Sequence, residues 1–163
     1  MQAAIQYDTM AVPKSIVDSK GSWRGKSQLN LPWLPPEKRV TEFNSSLHID
    51  TDGSGSFATI TYTWAHEGKR QEGTILVCGA HKSDAIEFGW VDSWHQNSSV
   101  LHLVGSSPEG GSTKAKGTYS GDGQTWGWTI ELVASDGKLA MNMENIPPTG
   151  DPMWAVHANY ERA

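Results

Sequence analysis

Apolar and polar residues alternate along most of this chain in runs of six to ten. In FATITYTWA, residues 57–65, Ile60, Tyr62 and Trp64 share one parity and Thr59, Thr61 and Thr63 the other. AIEFGWVDSW, residues 85–94, puts Phe88, Trp90, Asp92 and Trp94 on one face, and TWGWTIELV, residues 125–133, does the same with Trp126, Trp128, Ile130 and Leu132. A period of two is that of a strand with one face buried. The same reading covers SWRGKSQLNL, RVTEFNSSLHI, GTILVCGA, VLHLVG, TKAKGTYS, KLAMNMENI and MWAVHANYE, which makes ten predicted strands. Turn clusters such as TDGSG, HEGK, GAHKSD, SSPEGGS, SGDGQ, SDGK and PPTGDP separate them, with glycine at the positions where hairpins need a positive φ. Only PKSIVDSK, residues 13–20, reads as a short helical turn, with Gly21 as its stop.

Sequential antiparallel strands with bulk on one face and small polar residues on the other predict an all-β fold, a single up-and-down barrel of about ten strands. Closure is preferred to a sandwich because it removes the free edges. The barrel domain is expected over residues 13–163, after a poorly ordered extension of residues 1–12. The proline-rich LPWLPPEKR, residues 31–39, is expected as a longer loop at the barrel mouth, since Pro32, Pro35 and Pro36 do not suit a central strand.

The 163 residues suffice for one core, and the formal net charge of −5 without any long basic run argues against nucleic acid and anionic membranes as partners. A single cysteine, Cys78, makes no internal disulfide, which together with the lack of an evident leader or membrane span predicts a cytoplasmic protein.

Gly21-Ser22-Trp23 at the start of the first strand resembles the G-x-W opening of the calycin superfamily, the lipocalins and fatty-acid-binding-like barrels. TYTWAHEGKRQEGTILV, WVDSWHQ, GTYSGDGQTWGWTIEL and MNMENIPPTGDPMWAVHANYER are similar to a bacterial family of unknown function whose members are expected to share that barrel. The resemblance implies that Trp23 lies across the closed end and packs against a basic side chain of the last strand, here Arg162. Gly21-x-Trp23-x-Gly25 also resembles the nitrobindin-like haem barrels, in which His157 would be the position of a single iron ligand. Those barrels continue with alternating glycines and Tyr-Pro where this chain has KSQLNLPW, and strand parity turns His157 outward. No cofactor is therefore expected, and a haem-binding barrel or a structural barrel without ligand is kept as a further alternative.

Tyr62, Trp64, Phe88, Trp90, Trp94, Trp126 and Trp128 all fall on the inward parity, and they either fill the barrel or wall a cavity for a small apolar or aromatic molecule. Asp92 among them favours the cavity. A carboxylate buried without a partner costs several kcal/mol, so it pairs, takes hydrogen bonds or meets a ligand. His102 on the following strand, Arg24 and Lys26 are the candidate partners, and Asp92 and His102 the polar groups expected to orient the ligand. An enzyme using the same cavity, with Asp92 or His102 as general acid or base and Glu42 or Glu144 as a second acid, is the alternative. The six histidines show no metal-ligand spacing and there is no nucleophile elbow, P-loop or dinucleotide fingerprint, so no metal is expected. On this reading Asp92→Asn should melt almost normally and lose its ligand.

Overall fold

The computed structural model describes residues 11–79, 85–96, 98–108, 110 and 112–163. Each alternating run becomes a strand: β1 Gly21–Asn30, β2 Val40–Thr51, β3 Phe57–His66, β4 Lys69–Gly79, β5 Ala85–Asp92, β6 Leu101–Ser106, β7 Thr113–Gly121, β8 Gln124–Ser135, β9 Lys138–Ile146 and β10 Met153–Arg162. Neighbours in sequence pair antiparallel, and β1 pairs with both β2 and β10 to close a ten-stranded barrel. Three of the connections are two-residue hairpin turns with both residues at positive φ: Glu67-Gly68, Asp122-Gly123 and Asp136-Gly137. The predicted helical turn is α1, Lys14–Asp18. A 3-10 turn at Pro36–Lys38 lies in the proline-rich segment between β1 and β2.

Chain direction divides the barrel into two ends. β1 enters at the end covered by α1 and leaves at the other, where residues 31–39, 93–96 and 98–100 and the first residues of β10 gather. At the α1 end Trp23 is 2% exposed and donates from Nε1 to the carbonyl of Ser19 at 2.8 Å. Arg162, its register partner, holds its guanidinium 4.2 Å from the indole centroid and donates to the backbone carbonyls of Asp18 and Lys20. That cation–π contact and the two backbone bonds seal this end. Ile16 and Val12 complete the plug.

Residues 11 and 12, expected within the extension, are part of the described structure. Val12 is buried and its N–H donates to the carbonyl of Gly55 at 2.9 Å, so residues 11 and 12 belong to the packed end. Residues 1–10 lie outside the described residues, as does His81, expected in a turn.

Between the two ends the barrel is filled. Ile49, Ile60, Ile75, Val77, Phe88, Trp90, Leu103, Ile130 and Ala158 have no solvent contact, and Met141, Met143 and Tyr160 close the remaining gaps. An internal void of about 10 Å³ beside Tyr62, Asp92 and Tyr160 holds no more than one water.

Candidate functional site

β5 ends two residues earlier than the alternation suggests. Asp92 is the last strand residue, and residues 93–95 form a turn that bends into the barrel mouth. The cause is local: Oδ1 of Asp92 accepts the backbone N–H groups of Trp94 and His95, both at 2.9 Å, the capping arrangement of an aspartate two and three residues ahead of the amides it holds. The turn breaks the alternation and brings Trp94 and His95 to the mouth together. His95, which continued alternation would place on the face opposite Asp92, swings over the strand end and lies 3.2 Å from Asp92 Oδ1 through its own Nδ1.

Both oxygens of Asp92 are thereby saturated. Oδ2 accepts the Tyr62 hydroxyl at 2.8 Å and the Trp64 indole N–H at 3.2 Å, and the Tyr62 oxygen accepts the Trp90 N–H at 2.7 Å. Glycine at position 73 makes the Tyr62 contact possible. Gly73 stands between Tyr62 on β3 and Asp92 on β5, and a Cβ there would lie 2.2 Å from the Tyr62 ring. The phenol thus lies flat across β4 to reach the carboxylate.

Burial raises the Asp92 pKa, but the His95 side chain and the two backbone amides outweigh it and hold the group down at about 2. Tyr62 moves the other way. Its pKa is pushed well above the ordinary value by burial and by the adjacent Asp92 charge, so it stays a hydroxyl donor.

His95 is caged by indoles. Its ring centroid is 4.8 Å from Trp94, 5.1 Å from Trp64, 5.4 Å from Trp128 and 5.8 Å from Trp90. Trp90 and Trp128 stack at 5.2 Å with their planes 15° apart, one buried beneath the other. The His95 side chain is 10% exposed, and that exposure opens into a mouth cavity of about 240 Å³. Leu29, Leu31, Met153 and Ala155 form its apolar wall, Trp33 and Pro32 its rim, and Trp94, His95, Tyr119 and Trp128 its aromatic side. The proline-rich segment does sit at the mouth. Trp33, 68% exposed, is the most open aromatic side chain of the rim.

Among the described residues, some polar atoms of this cavity lack protein partners. Trp128 Nε1 and Asn30 Oδ1 are buried without a hydrogen bond, and both residues line the cavity. Among the described residues His95 Nε2 also has no protein partner, and it is not enclosed as those two atoms are. Tyr119 and Asn145 bond to each other at 2.8 Å across the wall. Among the described residues none that lines the cavity is serine, threonine or cysteine.

Asp92 and the aromatic residues predicted from sequence divide into four groups. Trp94 and Trp128 line the mouth cavity, while Trp64, Tyr62 and Asp92 stand beneath it as the network that fixes His95. Phe88 and Trp90 are wholly buried in the filled interior and face no cavity. Trp126 is displaced to the rim of β8, half-buried against Tyr119, with its N–H on the carbonyl of Gly121.

His102 needs a correction. It is on the outer wall, exposed, and pairs at 2.9 Å with Glu87; strand parity set by inward Leu101 and Leu103 leaves it no path to Asp92. Arg24 is likewise outside, and Lys26 pairs with Glu42 at 3.8 Å on the outer surface. Glu144 meets Thr129 and Lys114 there, so neither glutamate opposes Asp92.

His157 does point outward, between Gln28 and Asn142 in the neighbouring strands and stacked on Trp154 at 4.4 Å. Strict alternation with Val156, Ala158 and Tyr160 would turn Trp154 inward; it reaches that stack because of a bulge between Trp154 and Val156. Among the described residues no group of three or more His, Cys, Asp or Glu is placed to hold a metal ion.

A closed ten-stranded antiparallel barrel with one filled interior and one aromatic mouth is the class of molecule that fold and site define. No family model matches the chain, and no curated protein sequence matches it. Among solved structures, the crystal structure of Rv2717c from M. tuberculosis is similar, with a TM-score of 0.63 at 12% identity over 93% of this chain and 99% of that chain. At that identity the likeness is one of fold. No helix among the described residues is long and apolar enough to cross a membrane.

Proposed function

We propose that this protein is a calycin-like barrel that binds a small aromatic molecule at its mouth, rather than deep in the barrel. The observation that carries this reading is the pair of buried, unpartnered atoms, Trp128 Nε1 and Asn30 Oδ1, in the wall of an otherwise apolar cavity. Leaving a buried polar group unpaired costs about 1–3 kcal/mol, a cost that a ligand with complementary groups removes. Size narrows the ligand. About 150 Å³ is enough for benzene and drug-sized pockets begin near ~300 Å³, so 240 Å³ suits a bicyclic aromatic.

Naphthalene tests the cavity without any polar group. It should quench tryptophan fluorescence saturably at one molecule per chain, and Met153→Trp, which fills the wall, should abolish the effect while leaving the fold intact. A linear, non-saturating response in the unmodified protein would sink this reading.

Haem does not suit the site. The cavity is too small for a porphyrin, and His157, the position implied by the nitrobindin resemblance, lies on the outer wall against Trp154. Added hemin should therefore give no Soret shift that His157→Ala removes.

An enzymatic reading of the same cavity is supported by one feature, the Asp92–His95 pair. A carboxylate that orients an imidazole supplies two members of a hydrolytic triad, but with no serine, threonine or cysteine in the lining among the described residues the base would act on the ligand or on water. A cytoplasmic location goes with this reading, on the single cysteine.

A further inference from the structure

We propose that the mouth cavity selects a hydroxylated aromatic, a phenol-like molecule whose O–H donates to Nε2 of His95. This rests on the binding reading above and names the chemistry that the ligand must carry.

The argument starts at Asp92. Its carboxylate is ionised and has five donors around it: the Tyr62 hydroxyl, the Trp64 indole, the amides of Trp94 and His95, and the His95 ring. A carboxylate in that state only accepts, so the His95 nitrogen facing it carries a hydrogen. With Nδ1–H committed to Asp92, the neutral imidazole keeps its one lone pair on Nε2, at the ring edge away from the carboxylate. The ring cannot turn to offer the other nitrogen. Trp64, Trp90, Trp94 and Trp128 hold it on several sides, with the four centroids within 5.8 Å.

The cavity thus presents a fixed acceptor on an aromatic wall. An apolar ligand leaves Nε2 without a partner and forces it to shed water, whereas a ligand with an O–H at its edge satisfies it. Trp128 Nε1 provides the complementary donor, which suits the same hydroxyl oxygen or a neighbouring carbonyl. A ring between Trp94, Trp128 and Met153 would supply the burial.

Two probes of nearly equal size separate the claims, 2-naphthol and naphthalene, titrated calorimetrically into the full chain. A purely apolar pocket prefers naphthalene, because the hydroxyl of naphthol has to be desolvated. The proposal expects 2-naphthol to bind about tenfold more tightly or better, the discrimination typical of one hydrogen bond to a well-fixed acceptor. His95→Phe keeps a ring in the cage and removes Nε2, so it should bring the two affinities together or reverse them while naphthalene binding survives.

Because His95→Phe also removes a partner of Asp92 and is open to misfolding, the unmodified protein supplies a second readout. With isotope-labelled histidine, 2-naphthol should move the Nε2 resonance of His95 and naphthalene should not. If neither probe binds, the cavity reading itself fails. If both bind with equal strength, or naphthalene more tightly, and the Nε2 resonance stays in place, the pocket stands and the proposal is overturned. A preference for naphthol that persists in a folded His95→Phe assigns the hydroxyl to Trp128 or Asn30 and overturns it as well.

Discussion

Asp92→Asn should lower stability at neutral pH by about 3–5 kcal/mol, in contrast to the near-normal melting expected from the sequence alone. Every group around the carboxylate is a donor, and an amide presents one NH2 group to them where two oxygens stood. Whichever way the amide is turned, donors face a donor. If Nδ2 replaces Oδ2 it opposes the Tyr62 hydroxyl and the Trp64 indole; if it replaces Oδ1 it opposes the turn that carries His95.

The pH dependence gives an independent reading. The folded-state pKa of about 2 lies below the ordinary 3.8, so Asp92 contributes stability that is present above about pH 4 and lost as pH falls through 2. That contribution is of order 2 kcal/mol. Urea unfolding at neutral pH and near pH 3 should show the unmodified protein losing part of this stability and Asp92→Asn lacking that component. Equal melting temperatures and equal acid sensitivity in the two proteins would refute the network.

Trp90→Ala is expected to be similarly severe, about 3–5 kcal/mol from the cavity alone. Trp90 has no solvent contact, lies under Trp128 and donates the hydrogen bond that positions the Tyr62 oxygen. Its loss therefore removes the support of the mouth from below. Denaturant titration should give the stability loss, and naphthalene affinity in the surviving folded fraction should weaken as Trp128 loses its stacking partner. A variant that keeps its denaturation midpoint would show that Trp90 is a replaceable wall.

Much of the fold was legible because its signals are local. The alternation in FATITYTWA and TWGWTIELV and the turn dipeptides Glu67-Gly68, Asp122-Gly123 and Asp136-Gly137 each act within a few residues, and strands and hairpins formed where they pointed. The pairing of Trp23 with Arg162 followed from a family resemblance rather than from any local pattern. Asp92 was recognisable because a carboxylate on an aromatic face is costly in any arrangement.

Its partner was missed because alternation was carried two residues too far. DSWHQNSS is rich in turn formers, and Asp-Ser at the end of an apolar run is itself a stop signal; ending the strand at Asp92 would have turned His95 inward and removed the need for His102. Trp154 escaped in the same way, through a bulge that shifts parity by one residue. The size of the interior was not legible at all. Whether eight tryptophans enclose space or fill it depends on how the rings interlock, as Trp90 and Trp128 do.

The pairing of β1 with β10 also bears on how the protein is made. β10 is the last strand to leave the ribosome, and until it does β1 and β9 both present open edges. Nine-tenths of the sheet then exists as a curved ribbon that exposes Trp23 and the flanks of the core. Contacts this distant in sequence form slowly, so the nascent chain passes through a stage in which another copy, or a chaperone, can occupy the place of β10. Truncation before Met153 should therefore yield a product that associates through those edges, not a slightly weakened barrel.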